Sequence, residues 1–192
     1  IEKANFILVS IPPINSLDIV INNFEKKLSN ENKKWITYLS ATSVYGNHDG
    51  EWVSEQSATN PTSINGVNRL KAEKSWINLF NKLNAPVQIF RLSGIYSKNF
   101  NILNRLRNGE ARIIKKKNQF FSRIHVEDIA KILFQSIENF KKGEIYNISD
   151  DKPASMEEVT RFAVKMLGCA EPETIQYTEL PEGMLKNFYN DS

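Results

Sequence analysis

The side chains whose types could do chemistry lie in two stretches, Tyr38-Leu-Ser-Ala-Thr-Ser-Val-Tyr-Gly46 and Pro61-Thr-Ser-Ile-Asn-Gly-Val-Asn-Arg-Leu-Lys-Ala-Glu73. Tyr45 can move a proton, and so can His48, Glu55 and His125 elsewhere in the chain. Ser40 and Thr42 offer hydroxyls on either side of Ala41, which has none. Asn65 carries an amide that donates and accepts hydrogen bonds but does not titrate, so it cannot be a general acid or base. Arg69 keeps its charge and can bind a ribose or phosphate oxygen. Positions 65, 69 and 73 are spaced i, i+4, i+8 and share one face of a helix. Lys71 lies well round that helix and is a poor substitute for a lysine at position 69.

The elements that must position these groups alternate. Residues 5–11 form a short apolar run ending at Pro12-Pro13 and read as a buried parallel strand. Residues 16–29 have the spacing of an amphipathic helix. Residues 34–39 form a second strand, with the motif residues 40–46 just past its end. A polar loop covers 47–60, a long helix 61–83 and a third strand 87–92. Strands 6–11, 34–39 and 87–92 are expected side by side and parallel. Their carboxyl ends should bring Ser10, Ser40 and Ser93 to one edge, where open α/β sheets bind ligands. Beyond Gly94 the alternation loosens. Residues 100–108 read as a helix with Gly109 as a C-cap, 111–114 and 120–124 as short strands, and 126–140 as a helix. Residues 144–148 read as a strand, and 155–167 as a helix opened by the capping box Ser155 to Glu158 and stopped at Gly168. Residues 174–177 read as a last short strand.

The two opening stretches resemble the active-site half of the extended short-chain dehydrogenase/reductases, the NAD-dependent epimerase/dehydratase family. Arg91-Leu-Ser-Gly-Ile-Tyr96, Phe121-Ser-Arg-Ile-His-Val-Glu-Asp-Ile-Ala130 and Tyr146-Asn-Ile-Ser149 resemble further segments of it. The resemblance implies an α/β fold: the C-terminal half of an NAD(P)-binding Rossmann-like parallel sheet with a small substrate-side α/β lobe. Residues 1–98 would form the second half of the dinucleotide-binding domain. Residues 99–192 would form the substrate-side lobe and the remaining sheet and helix elements. The family's catalytic Tyr-x-x-x-Lys pair falls on Asn65 and Arg69, and its Ser or Thr on Ala41, so the standard site is degenerate. Tyr45, and with it His48, becomes the candidate proton donor. By resemblance, Ser10, Ile11, Pro12, Ser40, Thr42, Arg69 and Ser93 face NAD or NADP, while Tyr45, Asn65, Gly94, Arg123 and His125 face the substrate. His125 also fits a purely structural role near a helix start, and Asp128 an interaction with the helix dipole.

The glycine fingerprint G-x-G-x-x-G, which cradles a dinucleotide pyrophosphate, is nowhere among the 192 residues. Residue 1 corresponds to a point just before the family's fourth strand, and the family's chain runs on past residue 192. The expectation is a fragment, or a protein without the first nucleotide-binding half, whose NAD or NADP binding needs that half. The implied activity is epimerase, dehydratase or reductase chemistry on a nucleotide-sugar-like small molecule. The alternative is a non-catalytic NAD(P)-binding sensor or regulator of the same fold.

Composition is that of an ordinary soluble protein, 41% hydrophobic and 24% charged with net charge +3. No apolar run approaches the ~20 residues of a membrane span, and the single cysteine, Cys169, fits a reducing cytoplasm. No metal site is indicated, and a homodimer is left open. Residues 98–123 hold eight Lys/Arg against one acid, Glu110. Lys115-Lys-Lys117 reads as a solvated turn. No helix-turn-helix, zinc or RNA-recognition signature accompanies this charge, which argues against nucleic acid.

Overall fold

The computed structural model describes residues 1–29, 31–183 and 189. Four strands form one parallel sheet in the order β1-β2-β3-β7: β1 Phe6–Val9, β2 Trp35–Ala41, β3 Val87–Leu92 and β7 Ile145–Ile148. Phe6 pairs with Trp35, Ile36 with Val87 and Ile89 with Ile145. The three strands read from the sequence are thus adjacent and parallel, as expected. All six residues of β3 are buried, because helices cover both of its faces. β1 departs from expectation. It is an outer strand that stops at Val9, before the prolines, and its Phe6 and Leu8 are 49% and 48% exposed on a face that none of the described helices covers.

Helices α1 (Ile19–Leu28) and α2 (Ile64–Leu83) pack on one side of the sheet. Val20, Leu28, Ala72, Trp76 and Leu79 meet Val9, Ile36, Tyr38, Val87 and Ile89 there. Asp18 joins the two helices. Its Oδ1 caps α1 by accepting from the Val20 and Ile21 amides, and its Oδ2 accepts from Trp76 Nε1 at 2.8 Å. Helix α2 begins at Ile64 rather than at Pro61 because the Ser63 hydroxyl accepts from the Gly66 amide and caps it. It ends at Asn84, whose left-handed conformation (φ 51°) a short polar side chain tolerates.

Helix α4 (Val126–Glu138) covers the other side, with Ile129 buried against Phe90, Leu92 and Ile148. Polar side chains fix its height. Ser136 Oγ accepts from both Gln88 Nε2 and Trp35 Nε1, and Gln88 also donates to Thr37 Oγ1.

The remaining elements are β4 (Gly94–Tyr96), α3 (Ile102–Arg107), β5 (Ile113–Lys115), β6 (Arg123–His125), α5 (Met156–Leu167) and β8 (Thr174–Gln176); Ile124 of β6 packs with Phe90, Leu92 and Ile148 of the main sheet. The two short strands expected near 111–124 do not pair with each other. β4 pairs with β6, and β5 with β8, both in parallel. Helix α5 has the expected Ser155–Glu158 capping box, and Gly168 closes it in the left-handed conformation. Ile114, Phe121, Leu180 and Tyr189 form a further buried cluster.

The basic run is largely engaged. Lys115 faces Glu157, Arg112 pairs with Glu173, and Lys116 donates to the Tyr189 carbonyl. Cys169 is exposed just past α5. Among the described residues no helix is long and apolar enough to cross a membrane, and no three His, Cys, Asp or Glu side chains group as metal ligands.

Candidate active site

The parallel register places the carboxyl ends of β1, β2 and β3 together, and with them Ser10, Ser40 and Ser93. Ser10, Ile11 and Pro12 are exposed in the loop leaving β1. Ser93 is buried, and its hydroxyl donates to the Ile148 carbonyl. Ser40 is 2% exposed, and among the described residues its hydroxyl has no hydrogen-bond partner. A buried polar atom without a partner calls for an explanation, and this one stands at the carboxyl end of β2.

Past Ala41 the chain makes one 3-10 turn, Thr42–Val44, and delivers Tyr45 and Gly46. Gly46 has φ +76°, and a Cβ there would lie 2.1 Å from the Asn60 carbonyl oxygen. The loop's two ends approach that closely because the Asn60 amide donates to the Tyr45 carbonyl. Only glycine combines this φ with this clearance.

Tyr45 is 2% exposed and sits in a chain of buried polar contacts. Its hydroxyl donates to Asn147 Oδ1 at 2.6 Å and accepts from Arg91 Nη1 at 2.9 Å. The Arg91 guanidinium lies 4.8 Å from the centre of the Tyr45 ring. It also grips Glu73, with Nη2 2.7 Å from Oε2 and Nε 3.1 Å from Oε1. Burial pulls the Arg91 guanidinium down; the Glu73 contacts and the Tyr45 hydroxyl outweigh it and hold it above its ordinary value. The chain ends at Glu55, whose Oε1 accepts from the Asn147 backbone amide at 2.7 Å.

Asn65 is exposed in the first turn of α2. Arg69, one turn on, is half-buried and donates through Nη1 to the Leu39 carbonyl at 2.6 Å. Lys71 leaves the helix in another direction and donates to Ser16, which in turn donates to Asn68. Tyr38, beneath this face and stacked on Trp76, is pushed up to about 12 by burial. The Arg69 charge pulls the other way without meeting hydrogen-bond geometry.

His48 is half-buried on the loop, with Nε2 3.1 Å from the Ala58 carbonyl; that contact requires the proton on Nε2. His125 accepts the Glu127 amide on Nδ1 and so caps α4, while its ring meets Tyr96 edge-on at 5.1 Å. Asp128 in the first turn of α4 pairs with Lys131. Arg123 turns its guanidinium to the Phe121 and Ala154 carbonyls, and burial holds it below its ordinary value.

The structure therefore brings Ser10, Ser40, Thr42 and Ser93 to one edge beside Asn65 and Arg69, on the strands' carboxyl side. It puts Arg123 and His125 on β6, beside Gly94 and Tyr96 of β4. Sequence reasoning assigned no role to Glu73, Arg91 or Asn147, which tie these elements together. The available signals were an arginine inside the fully buried β3 and a glutamate on the same helical face as 65 and 69.

A parallel sheet with crossover helices, and hydroxyl-bearing strand ends at one edge, defines a Rossmann-like α/β protein. Solved structures match that class. A functionally unknown conserved protein from Silicibacter pomeroyi superposes with a TM-score of 0.90 at 34% identity, over 97% of this chain and 66% of that one. dTDP-glucose 4,6-dehydratase from Bacillus anthracis, solved in complex with NAD, gives 0.76 at 16% identity, over 94% and 61%. UDP-glucuronic acid 4-epimerase from Bacillus cereus, also with NAD, gives 0.72 at 18%, over 90% and 64%. An ADP-L-glycero-D-manno-heptose-6-epimerase of Brachyspira hyodysenteriae is 23% identical over 166 residues, 79% of this chain and 52% of that protein. The chain thus spans about half the length of this curated relative. The model of the NAD dependent epimerase/dehydratase family matches residues 26–149, and the chain belongs to that family.

Proposed function

We propose that these residues form the nicotinamide- and substrate-facing part of an NAD(P)-dependent epimerase, dehydratase or reductase acting on a nucleotide-sugar-like substrate. The carrying observation is the edge where the buried, unpartnered Ser40 hydroxyl stands near α2, which bears Asn65 and Arg69. Relatives named for ADP-, dTDP- and UDP-linked sugars support the substrate class, and the two NAD complexes support the cofactor.

Ser40, Thr42 and Ser93 fit a bound nicotinamide nucleotide, which supplies hydride transfer when present. Arg69, steadied by the Leu39 carbonyl, presents a cation to a ribose hydroxyl. Asn65 orients a substrate oxygen without giving it a proton. The Tyr45 hydroxyl is engaged on both sides, so its role is to hold the loop. His48, whose Nε2–H is held by the Ala58 carbonyl, is then left as the proton donor through Nδ1, with Gly94, Arg123 and His125 framing the substrate side. The residues contain no glycine-rich pyrophosphate turn, so dinucleotide affinity here is weak.

The test is nuclear magnetic resonance titration of the isotope-labelled chain with millimolar NAD+ and UDP-glucose. NAD+ should shift Ser40, Thr42, Arg69 and Ser93, and UDP-glucose should shift Asn65 and Gly94. Shifts confined to other surfaces, or none, overturn the reading. The degenerate Asn65–Arg69 pair favours a second reading, a non-catalytic NAD(P)-binding regulator. Shifts as above, with no sugar conversion by either the protein or its Asn65→Tyr/Arg69→Lys variant, would select it.

A further inference from the structure

We infer that Asn147 and Glu55 are positioning residues that clip the 47–60 loop to the sheet and set where His48 and Trp52 stand. The inference rests on the loop's contacts and holds whatever the reaction is. The loop's own hydrogen bonds are short-range: Asp49 to Asn47, Glu51 to His48, Ser54 to Ser57 and His48 to Ala58. They shape turns but attach nothing to the sheet. Its base is closed by Asn60 on Tyr45, and its flank rests at Gly50 against the Asn118 main chain.

What reaches the sheet from the loop's middle is the Glu55 carboxylate, 2.7 Å from the Asn147 amide. β7 is an outer strand, so this N–H has no further strand to receive it. A carboxylate acceptor makes the bond charge-assisted and strong. The same Asn147 accepts the Tyr45 hydroxyl on its side chain. One residue of β7 thus holds both the start of the loop and its middle. Tyr45 is held in turn by Arg91, and Arg91 by Glu73 of α2. The loop's position is thereby registered to α2, β3 and β7 together. Trp52 is 79% exposed three residues before Glu55, so its position follows that of the clipped loop.

Hydrogen exchange of the full chain, read segment by segment, tests this. Glu55→Ala should speed exchange across 47–60 by about 10-fold or more while β2 and β3 keep wild-type protection. Glu55→Gln keeps an acceptor oxygen and should restore most of the protection; a merely electrostatic or bulk structural role would not show this rescue. Trp52 supplies a second readout. Trp35 and Trp76 are buried, so a fall in fluorescence anisotropy in Glu55→Ala, recovered in Glu55→Gln, reports the loop. Unchanged loop exchange in Glu55→Ala overturns the proposal, and so does a rise spread equally over β2 and β3.

Discussion

Replacing Glu73 by alanine should damage the protein far more than removing a surface acid. The Glu73 and Arg91 side chains are 3% and 5% exposed, and their nearest N–O distance is 2.7 Å. Removing the carboxylate leaves a guanidinium in the interior with the Tyr45 hydroxyl as its remaining neutral acceptor. Arginine cannot escape by losing its proton. Breaking a buried pair in this way costs about 3–5 kcal/mol. For a domain of this size each kcal/mol moves the melting temperature by roughly 2–4 °C, so Glu73→Ala should melt about 6–20 °C lower. Thermal unfolding followed by circular dichroism or calorimetry measures it. The sharper test is the pair variant Glu73→Leu/Arg91→Met, which removes both charges and keeps apolar volume. It should recover at least half of the loss. If Glu73→Ala melts within about 2 °C of wild type, or the pair variant melts no higher than the single one, the buried pair is not what holds α2 to β3.

Gly46→Ala should cost at least about 2 kcal/mol in urea unfolding, because its Cβ meets the Asn60 carbonyl at a φ that alanine avoids; a cost under 0.5 would mean the loop base shifts freely. Tyr38→Phe should be neutral or slightly stabilising at pH 7, since the buried hydroxyl has no partner among the described residues. The Tyr38 hydroxyl stays protonated in the folded protein to about 12 and ionises near 10 when unfolded. Its contribution is therefore complete below pH 10 and lost as pH rises toward 12, by about 3 kcal/mol at most. Wild type should lose stability over that window more steeply than Tyr38→Phe, and parallel pH curves would refute the assignment. Asp18→Ala should cost about 2–4 kcal/mol, losing a helix cap and the Trp76 partner together, with Asp18→Asn losing less.

The main sheet was legible because parallel strands announce themselves as short apolar runs between helical periods. The Ser155–Glu158 capping box and the Gly168 helix stop were legible because their chemistry is local. The exposure of Phe6 and Leu8 was not, since an apolar run looks the same whether one face or both are covered. Nor was the pairing of β5 with β8, which joins segments far apart in sequence. In the candidate site, the motif spacing located the edge and the Asn65–Arg69 face. It could not say that the Tyr45 hydroxyl would be taken by Asn147 and Arg91, because that depends on β3 and β7, which are far apart in sequence, pairing side by side beneath one loop. His125 shows the converse. Its place at the head of a helical period suggested a structural role, and its Nδ1 does accept a first-turn amide of α4.

Among the described residues, every ladder between the strands is parallel, and each therefore needs a crossover before it can close. No tight two-strand hairpin is available as an early nucleus. The central pairing of β2 with β3 must wait for the whole of α2, and β7 can dock on β3 only after the chain from β4 through α4 has been made. Chains of this topology collapse first through local helices and assemble their sheet late. The side chains of Phe6 and Leu8, 49% and 48% exposed, leave an apolar face on β1. The arrangement that gathers the strand ends at one edge thus also ties the closing of each strand pair to a crossover that must be laid down first.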